Sequence, residues 1–468
     1  MSQEVRPNGS NEAGAEHRPI HTGWLENYDL KTPDERTAER KARQSERNRE
    51  PEPRVDQGRV WTDEHGVLSF SPAQQARLGL TPKSEFLVAE TSDGFVLRRA
   101  DPALAKVIVE PTSACNLNCR TCVRHSWDEP TGSMSMATYR ALIDGLRDVP
   151  TLRTVAFWGI GEPLVHPDIV EMVRLAHELG SRTEMVTNGL LLTEQMAERL
   201  VLAGLDRIVA SIDGVTPEAQ ADVRSGASLQ RVKQNILRLH DIRDRLDRDN
   251  PEVGLEFVLL KRNLCELPGL YDLARNLEAK SVIVTGVLPY SAELADETLY
   301  GLWAGKTYAD PSTWRPEIIL PKIDAREEAL EPLVKLLGHT GVVGSPTARR
   351  KGATGYCRFV AEGTVAVSWD GQVSPCVGLL HSYTCYVNGR EKRMRRYRLG
   401  SVAVEPIGGI WAKEEYRDFR KRVLDFDFAP CTDCGACEMA DSNEADCYGN
   451  PFPVCGDCLW AKGVIQCP

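Results

Sequence analysis

The chain has 468 residues, of which 42% are hydrophobic and 26% charged, a composition typical of a folded protein of two or three domains. Its net charge of −10 argues against general affinity for nucleic acid or anionic membrane. No apolar run approaches the roughly 18 residues of a membrane-spanning helix. The N-terminus MSQEVRPNGSNEAGAEHRPI lacks the apolar centre of a secretory signal. We therefore expect a cytoplasmic protein whose thiols stay reduced.

The N-terminal region divides into a tail and a small module. Residues 1–57 are polar with few large apolar side chains, so we predict a disordered tail. Residues 58–100 indicate two strands, a short helix after Ser71-Pro72, and a hairpin, a pattern that resembles the AbrB-like module. That resemblance implies a homodimer and, in other proteins, DNA binding. Five basic residues are balanced by five acidic ones, which favours docking or a structural role over DNA.

Residues 104–290 alternate between apolar runs of strand length and helical patterns. The six runs are AKVIVEP, TVAFWG, RTEMVTNG, RIVASIDG, GLEFVLLK and SVIVTGVLP. This alternation predicts an α/β fold with a parallel sheet, and an open doubly wound sheet and a partial barrel both fit it. In either fold, functional groups collect at the carboxyl ends of the strands. A connecting region at 291–355 follows, with one strand pattern, EIILPKID, and one helix pattern, AREEALEPLVKLLG.

Fourteen cysteines in a reducing compartment point to metal rather than to disulfides. Cys115, Cys119 and Cys122 form a C-x3-C-x2-C triplet directly after the first strand. Three thiolates can hold three irons of a 4Fe–4S cluster and leave the fourth iron open to a small molecule with an amine and a carboxylate. Structural zinc is the alternative. A structural zinc site has four protein ligands, and the nearest candidate for a fourth ligand in the sequence is His125.

The triplet in this position resembles the radical S-adenosylmethionine (radical SAM) superfamily. Three further motifs at successive strand ends carry the resemblance, although each alone also suits an ordinary turn. They are WGIGEPL with Gly159, Gly161, Glu162 and Pro163, TNG with Thr187 and Asn188, and SIDG with Ser211 and Asp213. The resemblance implies a partial (β/α)6 barrel, S-adenosylmethionine bound by these residues, and its reductive cleavage to a 5′-deoxyadenosyl radical. No residue is identified as a general base or radical relay.

One position departs from the family pattern. Many members have an aromatic residue before the third cysteine that packs on adenine, and here that residue is Thr121. The adenine contact is then expected from Val123 or from backbone. His125 and Trp127 are expected near the mouth of the cavity, with His125 in a structural role.

Residues 356–468 hold ten cysteines and resemble the SPASM extension, which binds one or two auxiliary 4Fe–4S clusters. The predicted ligands are Cys357, Cys376, Cys431, Cys434, Cys437, Cys447, Cys455, Cys458 and Cys467. The middle motif is C-x2-C-x2-C instead of C-x2-C-x5-C, so ligands are not assigned to individual clusters; a zinc ribbon is the alternative. Cys385 is left out, and Cys265 is expected to be a small buried residue. The basic run REKRMRRYR at 390–398 is interpreted as a solvated hairpin, with docking of an acidic partner or a phosphorylated cofactor as the alternative.

Four segments narrow the resemblance further: TCVRHSWDEP, GIGEPLVHPDI, WDGQVSPCVGLLHSY and CGDCLWAKGVIQCP. They look like the radical enzymes associated with tungsten-containing aldehyde ferredoxin oxidoreductases. This implies action on the tungsten–pterin cofactor or its oxidoreductase, with a reductant such as ferredoxin or flavodoxin. Alternatives are a SPASM enzyme that matures ribosomal peptides, an iron–sulfur electron carrier or scaffold, and a DNA-binding redox sensor, against which the neutral module argues.

Overall fold

The computed structural model of the protein describes residues 94–300, 355–387, 389–429 and 437–468, with parts of 61–91 and 317–344 and Cys431. The predicted tail, much of the connecting region and Cys434 lie outside the described residues, so the predictions made for them are not addressed. Within the described part of the chain, no helix is both long and apolar enough to cross a membrane.

The N-terminal module contains two hairpins and one helix. Its elements are β1 (Trp61–Thr62), β2 (Leu68–Ser69), α1 (Pro72–Leu78), β3 (Phe86–Thr91) and β4 (Gly94–Arg99). β1 pairs with β2 and β3 pairs with β4, both antiparallel. Ser71 caps α1 as predicted, because its Oγ accepts a hydrogen bond from the Gln74 backbone N–H at 3.2 Å. The AbrB-like assignment itself stays a prediction.

All six predicted barrel strands are present. They are β5 (Lys106–Val109), β6 (Thr154–Phe157), β7 (Arg182–Thr187), β8 (Arg207–Ser211), β9 (Glu252–Leu259) and β10 (Ser281–Gly286). They pair in parallel and in chain order across the sheet. A doubly wound sheet reverses its strand order, whereas a barrel winds in one direction. The fold is therefore a partial barrel, and the six carboxyl ends lie on one edge.

Helices follow these strands and cover the sheet. They are α2 (Met136–Arg147), α3 (Ile169–His177), α4 (Glu194–Leu202), α5 (Pro217–Val223), α6 (Leu229–Arg245), α7 (Leu267–Asn276) and α8 (Ala292–Asp296). Ser135, Thr193 and Ser228 cap α2, α4 and α6 by accepting a backbone N–H from three residues further on. Each such cap stabilises its helix by about 1 kcal/mol. Five of these seven helices were predicted, and the short helices α5 and α8 were not.

The connecting region extends the sheet on one side. It contains β11 (Glu317–Ile319), α9 (Glu327–Leu337) and β12 (Val343–Gly344). β11 pairs in parallel with β10, and β12 pairs in parallel with β11. The strand and the helix predicted here are thus present.

The cysteine-rich region extends the same sheet on the other side. Its elements are α10 (Arg358–Ala361), β13 (Thr364–Val367), β14 (Gln372–Ser374), β15 (Tyr383–Val387), β16 (Arg390–Met394), β17 (Gly400–Ser401), α11 (Ile407–Ala412) and α12 (Glu414–Asp425). β13 is buried along its whole length and pairs in parallel with β5. Among the described residues, the sheet reaches eleven strands. Neither β13 nor this pairing was predicted.

A buried arginine ties the cysteine-rich region to the start of the barrel. Arg420 has a side chain 1% exposed, and two of its nitrogens lie 2.7 and 2.8 Å from the Asp101 carboxylate oxygens. Its guanidinium also lies over the rings of Trp411 and Tyr416, at 4.2 and 4.5 Å from their centroids.

We expect Arg420→Ala to lower the free energy of unfolding by about 2–3 kcal/mol, because the substitution removes the partner of the Asp101 carboxylate. Urea unfolding measures this loss.

Arg417→Ala is the matched control for this substitution. Arg417 lies on the same helix, 4.0 Å from the same carboxylate, with a side chain 60% exposed. An exposed pair contributes about 0–1 kcal/mol, so the control should unfold almost as the wild type does. Equal losses in the two variants would contradict the role given to Arg420.

Candidate functional site

The three predicted cluster cysteines lie in the loop after β5, at the carboxyl edge of the sheet. Cys115, Cys119 and Cys122 are all partly exposed free thiols. Arg124 holds the loop, because its Nε donates to Cys122 Sγ at 3.2 Å and its Nη2 donates to the Leu117 carbonyl at 2.9 Å. Its charge also acts to lower the pKa of Cys115, although burial outweighs it. Arg124 was not predicted as a site residue.

Burial opposes ionisation of two of these thiols, Cys115 and Cys119. It raises the pKa of Cys119 to about 11, while the nearby Arg224 guanidinium acts in the opposite direction. Burial also raises the pKa of Cys115. Iron displaces the thiol protons when it binds. The donor set, three thiols beside two arginines, therefore fits a cluster with one iron left without a protein ligand.

The Glu162 carboxylate joins two of the predicted motifs to the cysteine loop. Its Oε1 accepts hydrogen bonds from Thr187 Oγ1 at 2.7 Å and from the Leu164 N–H at 3.0 Å. Its Oε2 accepts the Asn188 backbone N–H at 2.7 Å. The Asn188 side chain then donates to Asn116 Oδ1, within the cysteine loop, at 2.9 Å. The GEP and TNG segments and the loop thus form one hydrogen-bonded unit.

Two glycines let the WGIGEPL segment lie directly against the strand and loop that precede the cysteines. A Cβ on Gly161 would come within 2.0 Å of the Thr112 carbonyl oxygen, and a Cβ on Gly159 within 2.6 Å of Glu110 Cγ. Any side chain at either position would push the segment away. Pro163 is buried at the start of the next turn. The sequence motif is therefore explained by close packing.

The SIDG segment at the end of β8 belongs to a buried group of charges. Ser211 Oγ donates to Glu256 Oε2 at 3.1 Å. The Asp213 carboxylate lies 2.7 Å from Arg224 Nε and accepts the Val258 backbone N–H at 2.8 Å. Neither Arg224, just after α5, nor Glu256, within β9, was predicted from the sequence as a site residue. A lone acid inside the apolar run GLEFVLLK is the one signal that could have indicated Glu256.

The electrostatics of this group suit a small polar ligand. Burial raises the pKa of Glu256 to about 6, and the Arg224 charge opposes that rise. A carboxyl that titrates near neutrality at a strand edge is typical of functional sites. Asp213 is already committed to two partners, so its geometry favours orienting Arg224 over direct ligand contact. A buried guanidinium is well suited to binding a carboxylate.

The residues predicted at the cavity mouth have structural contacts. His125 Nε2 lies 3.2 Å from a carbonyl of the cysteine loop, and its ring stacks on Tyr290 with centroids 5.3 Å apart. Trp127 meets His381 edge-on at 4.6 Å. Val123 is 7% exposed and belongs to an apolar cluster shared with the cysteine-rich region. These contacts agree with a structural His125, and the adenine contact expected from Val123 or from backbone stays a prediction.

Four cysteines of the C-terminal region lie close enough to affect one another's ionisation: Cys357, Cys376, Cys455 and Cys458. Burial raises the pKa of Cys357 to about 12, and Cys458 adds to the rise. Cys467 packs against the same apolar cluster as two members of this group, and its Sγ accepts the Trp460 Nε1 hydrogen at 3.2 Å. The first group thus has four thiols, the number that a fully ligated cluster needs.

A second group contains Cys431 and Cys447. Burial raises the pKa of Cys431, and Cys447 adds to that rise. Cys437 is exposed, and Cys434 lies outside the described residues. Among the described residues, no three thiol, imidazole or carboxylate groups could share one metal ion. A 4Fe–4S cluster takes one thiolate per iron, so its ligands need not meet at a point.

Two further cysteine predictions have different outcomes. Cys265 was expected to be buried, and this is wrong, because it is exposed on the turn Lys261–Glu266, whose buried residues are Asn263 and Leu264. Cys385, which we left out of the predicted ligand set, has a side chain 2% exposed within β15, and its exclusion from that set stays a prediction.

The basic run at 390–398 forms one strand of the β15–β16 hairpin and part of the segment after it. Its interpretation as solvated is wrong at Lys392, which is 3% exposed and pairs with Asp457 at 2.9 Å. The Lys392 Nζ also donates to two backbone carbonyls, which offset the loss of water. Arg395 pairs with Glu444 on the surface. The run therefore has internal partners at several positions, which weakens the case for an acidic docking partner.

Two family models match the chain. The model of the Radical SAM superfamily matches residues 109–274, which contain the cysteine loop and the GEP, TNG and SIDG segments. The model of the SPASM iron–sulfur cluster-binding domain matches residues 357–438.

Three curated relatives are similar over different lengths. The chain is 32% identical to the tungsten-containing aldehyde ferredoxin oxidoreductase cofactor-modifying protein of Pyrococcus furiosus, over 77% of this chain and 96% of the relative. It is 27% identical to the AdoMet-dependent heme synthase of Methanosarcina barkeri, over 75% and 93%. It is 29% identical to the PqqA peptide cyclase of Gluconobacter oxydans, over 48% and 55%.

The position of Glu162 gives a test of the hydrogen-bonded unit. The two carboxylate oxygens of Glu162 together accept three hydrogen bonds. In Glu162→Gln an amide NH2 group replaces one of these oxygens, so at least one of the three donors loses its acceptor and faces an N–H group instead. We expect the free energy of unfolding to fall by about 2 kcal/mol and the Asn188 amide to exchange faster in hydrogen–deuterium exchange. Glu178→Gln, which changes a half-exposed acid at the end of α3, is the control. Unchanged exchange at Asn188 would count against the unit.

Proposed function

The chain belongs to the radical SAM superfamily, and from that premise we propose that it cleaves S-adenosylmethionine at a 4Fe–4S cluster held by Cys115, Cys119 and Cys122. The observation that carries the proposal is the joining of this loop to the GEP and TNG segments through Glu162. When bound, a reduced cluster would supply one electron for the cleavage of S-adenosylmethionine to methionine and a 5′-deoxyadenosyl radical, which would abstract a substrate hydrogen.

The chain's own residues bind and orient the reactants. The three thiolates would hold three irons of the cluster and leave one iron open to S-adenosylmethionine, which carries an amine and a carboxylate. Arg224, oriented by Asp213, supplies a fixed positive charge for that carboxylate. Gly159, Gly161, Pro163 and Ser211 shape the surrounding wall, and Thr187 and Asn188 are held in place by Glu162. The interior carboxyl of Glu256 is the nearest acid to Ser211 in this group.

The cysteine-rich region holds two auxiliary 4Fe–4S clusters in this proposal. Cys357, Cys376, Cys455 and Cys458 bind the first, since these four thiols act on one another. Cys431, Cys434, Cys437 and Cys447 bind the second. Cys467 is then a buried thiol beside the first cluster rather than a ligand, because the group is complete without it.

The proposed target is a tungsten–pterin cofactor or the oxidoreductase that carries it. The support is the name of the Pyrococcus furiosus relative, which aligns over 96% of its own length. A ferredoxin or flavodoxin would supply the electron. Loss of the gene should leave the tungstoenzyme with an altered cofactor, and an unaltered tungstoenzyme from a deletion strain would contradict this target.

Peptide modification is the second candidate. It is favoured by the similarity to a PqqA peptide cyclase, which covers about half of this chain. The N-terminal module would then bind the peptide. A short open reading frame beside the gene supports this candidate, and a neighbouring tungstoenzyme gene supports the first.

Formation of 5′-deoxyadenosine tests the radical chemistry directly. Anaerobically reconstituted wild type, reduced with dithionite and given S-adenosylmethionine, should release 5′-deoxyadenosine. Cys115→Ala/Cys119→Ala/Cys122→Ala should release none, because no cluster site remains. Cys265→Ala, which removes an exposed thiol with no proposed ligand role, should behave as wild type.

A negative result with the wild type needs one repeat, with a candidate substrate present. If iron analysis shows filled clusters and no 5′-deoxyadenosine is still released, the proposal fails and an iron–sulfur electron carrier takes its place.

Iron content tests the division of the auxiliary cysteines. Cys357→Ala/Cys376→Ala and Cys431→Ala/Cys447→Ala should each lose about four irons per chain, because each pair belongs to a different four-iron cluster. Cys467→Ala should keep its full iron content. Loss of about four irons on changing Cys467 would move it into a ligand set and overturn the assignment.

A further inference from the structure

A buried histidine bridges two carboxylates at the junction of the barrel and the cysteine-rich region. His381 Nε2 lies 2.8 Å from Glu110 Oε2, and its Nδ1 lies 2.7 Å from Glu129 Oε2. The side chains of His381 and Glu110 are 3% and 0% exposed. Glu110 directly follows β5, Glu129 follows the cysteine loop, and His381 lies five residues after Cys376, a proposed auxiliary ligand. The histidine therefore contacts, from within the cysteine-rich region, the segments that precede and follow the cysteine loop.

The same Glu110 carboxylate supports the WGIGEPL segment. Its Oε1 accepts the Ile160 backbone N–H at 3.0 Å, and a Cβ on Gly159 would touch its Cγ at 2.6 Å. Its Oε2 lies 3.4 Å from the donating Trp369 backbone N–H. One carboxylate thus contacts the barrel strand, the GIGEP turn and the cysteine-rich region. If it moves, the GIGEP turn loses its backbone anchor.

The groups around His381 favour its protonated form. The groups that face it are Glu110 from just after β5, Glu129 from the segment after the cysteine loop, Arg396 through Glu129, and the uncharged edge of Trp127. The carboxylates of Glu110 and Glu129, the Arg396 guanidinium and a protonated His381 together have no net charge. Despite burial, which acts to lower it, the pKa of His381 is raised to about 9 by its hydrogen bonds and by the two carboxylates. Only the imidazolium can donate to both carboxylates at once.

We propose that His381 is a positioning residue that transmits the conformation of the Cys376 loop, through Glu110, to the GIGEP turn and so sets the affinity for S-adenosylmethionine. The inference rests on the proposed function, because that turn is assigned to the S-adenosylmethionine site. The contact between Glu129 and His381 joins two of the segments on which the family resemblance rests, TCVRHSWDEP and WDGQVSPCVGLLHSY.

Hydrogen–deuterium exchange tests the link without any ligand. In His381→Gln the side chain can donate to one carboxylate only and turns an acceptor oxygen towards the other. We expect the Ile160 amide to exchange about tenfold faster than in the wild type. His240→Gln is the control, because His240 is also buried but bonds the Leu277 carbonyl on the outer helices. Unchanged exchange at Ile160 in His381→Gln would overturn the link.

Binding of S-adenosylmethionine tests the consequence. On reconstituted protein with equal iron content, the Kd should rise about tenfold or more in His381→Gln and stay unchanged in His240→Gln. The wild-type Kd should also rise as the pH passes about 9, because His381 then loses its proton. The Kd of His381→Gln should not show this step.

The outcomes separate this inference from the proposed function. Faster exchange with an unchanged Kd shows a purely structural bridge and overturns the positioning role. Failure of the filled wild type to bind S-adenosylmethionine refutes the proposed function, and with it the positioning role, while the exchange result still decides whether His381 holds the turn. A Kd that rises equally in both histidine variants shows general destabilisation and also contradicts the inference.

Discussion

The parallel pairing of β13 with β5 is the constraint on which the arrangement of the cluster sites depends. It makes the cysteine-rich region an extension of the barrel sheet, with Val365 in register with Val107. Because β13 is buried on both faces, the pairing stabilises the junction through hydrogen bonds and apolar burial together. The cysteine loop follows β5 at the carboxyl edge of the sheet, where the parallel strand β13 also ends. Cys357 and Cys376 consequently pack against an apolar cluster that includes Ile108 and Ala156 of the first two barrel strands.

The last residues of the chain complete the interior of the barrel. The Gly286 N–H donates to the Val464 carbonyl at 2.9 Å, and the Gln466 N–H donates to Thr285 Oγ1 at 2.8 Å. The terminal segment therefore lies along β10, which carries the connecting strands on one side. Trp460, in the turn before it, contacts the apolar cluster that also includes Trp158. The cysteine-rich region thus packs against the barrel at β10 as well as at β5.

Charged side chains are buried in this protein as compensated sets beside the proposed iron sites. Asp213 pairs with Arg224 near the radical site, and Lys392 pairs with Asp457 next to Cys458. An isolated buried charge costs several kcal/mol, and a complete set largely avoids that cost. Such sets add little net stability. They do hold fixed charges at fixed distances from the thiols, which is one way in which a protein adjusts an iron–sulfur centre.

The sequence by itself determined the local features: the six strands and five of the helices of the barrel, the cysteine triplet after β5, and the GEP, TNG and SIDG turns. Periodicity, caps and fixed cysteine spacings are properties of neighbouring residues and can be read along the chain. Only the tertiary structure decided the proximity of Cys455 to Cys357 and the contacts of Arg224, Glu256 and His381. The strand pattern left the winding direction open, and only the family resemblance implied a barrel. His381 and Glu110 are 271 residues apart, and neither has a local pattern that points to the other. Such contacts arise because packing brings distant strand ends to one edge, and no local rule encodes that meeting.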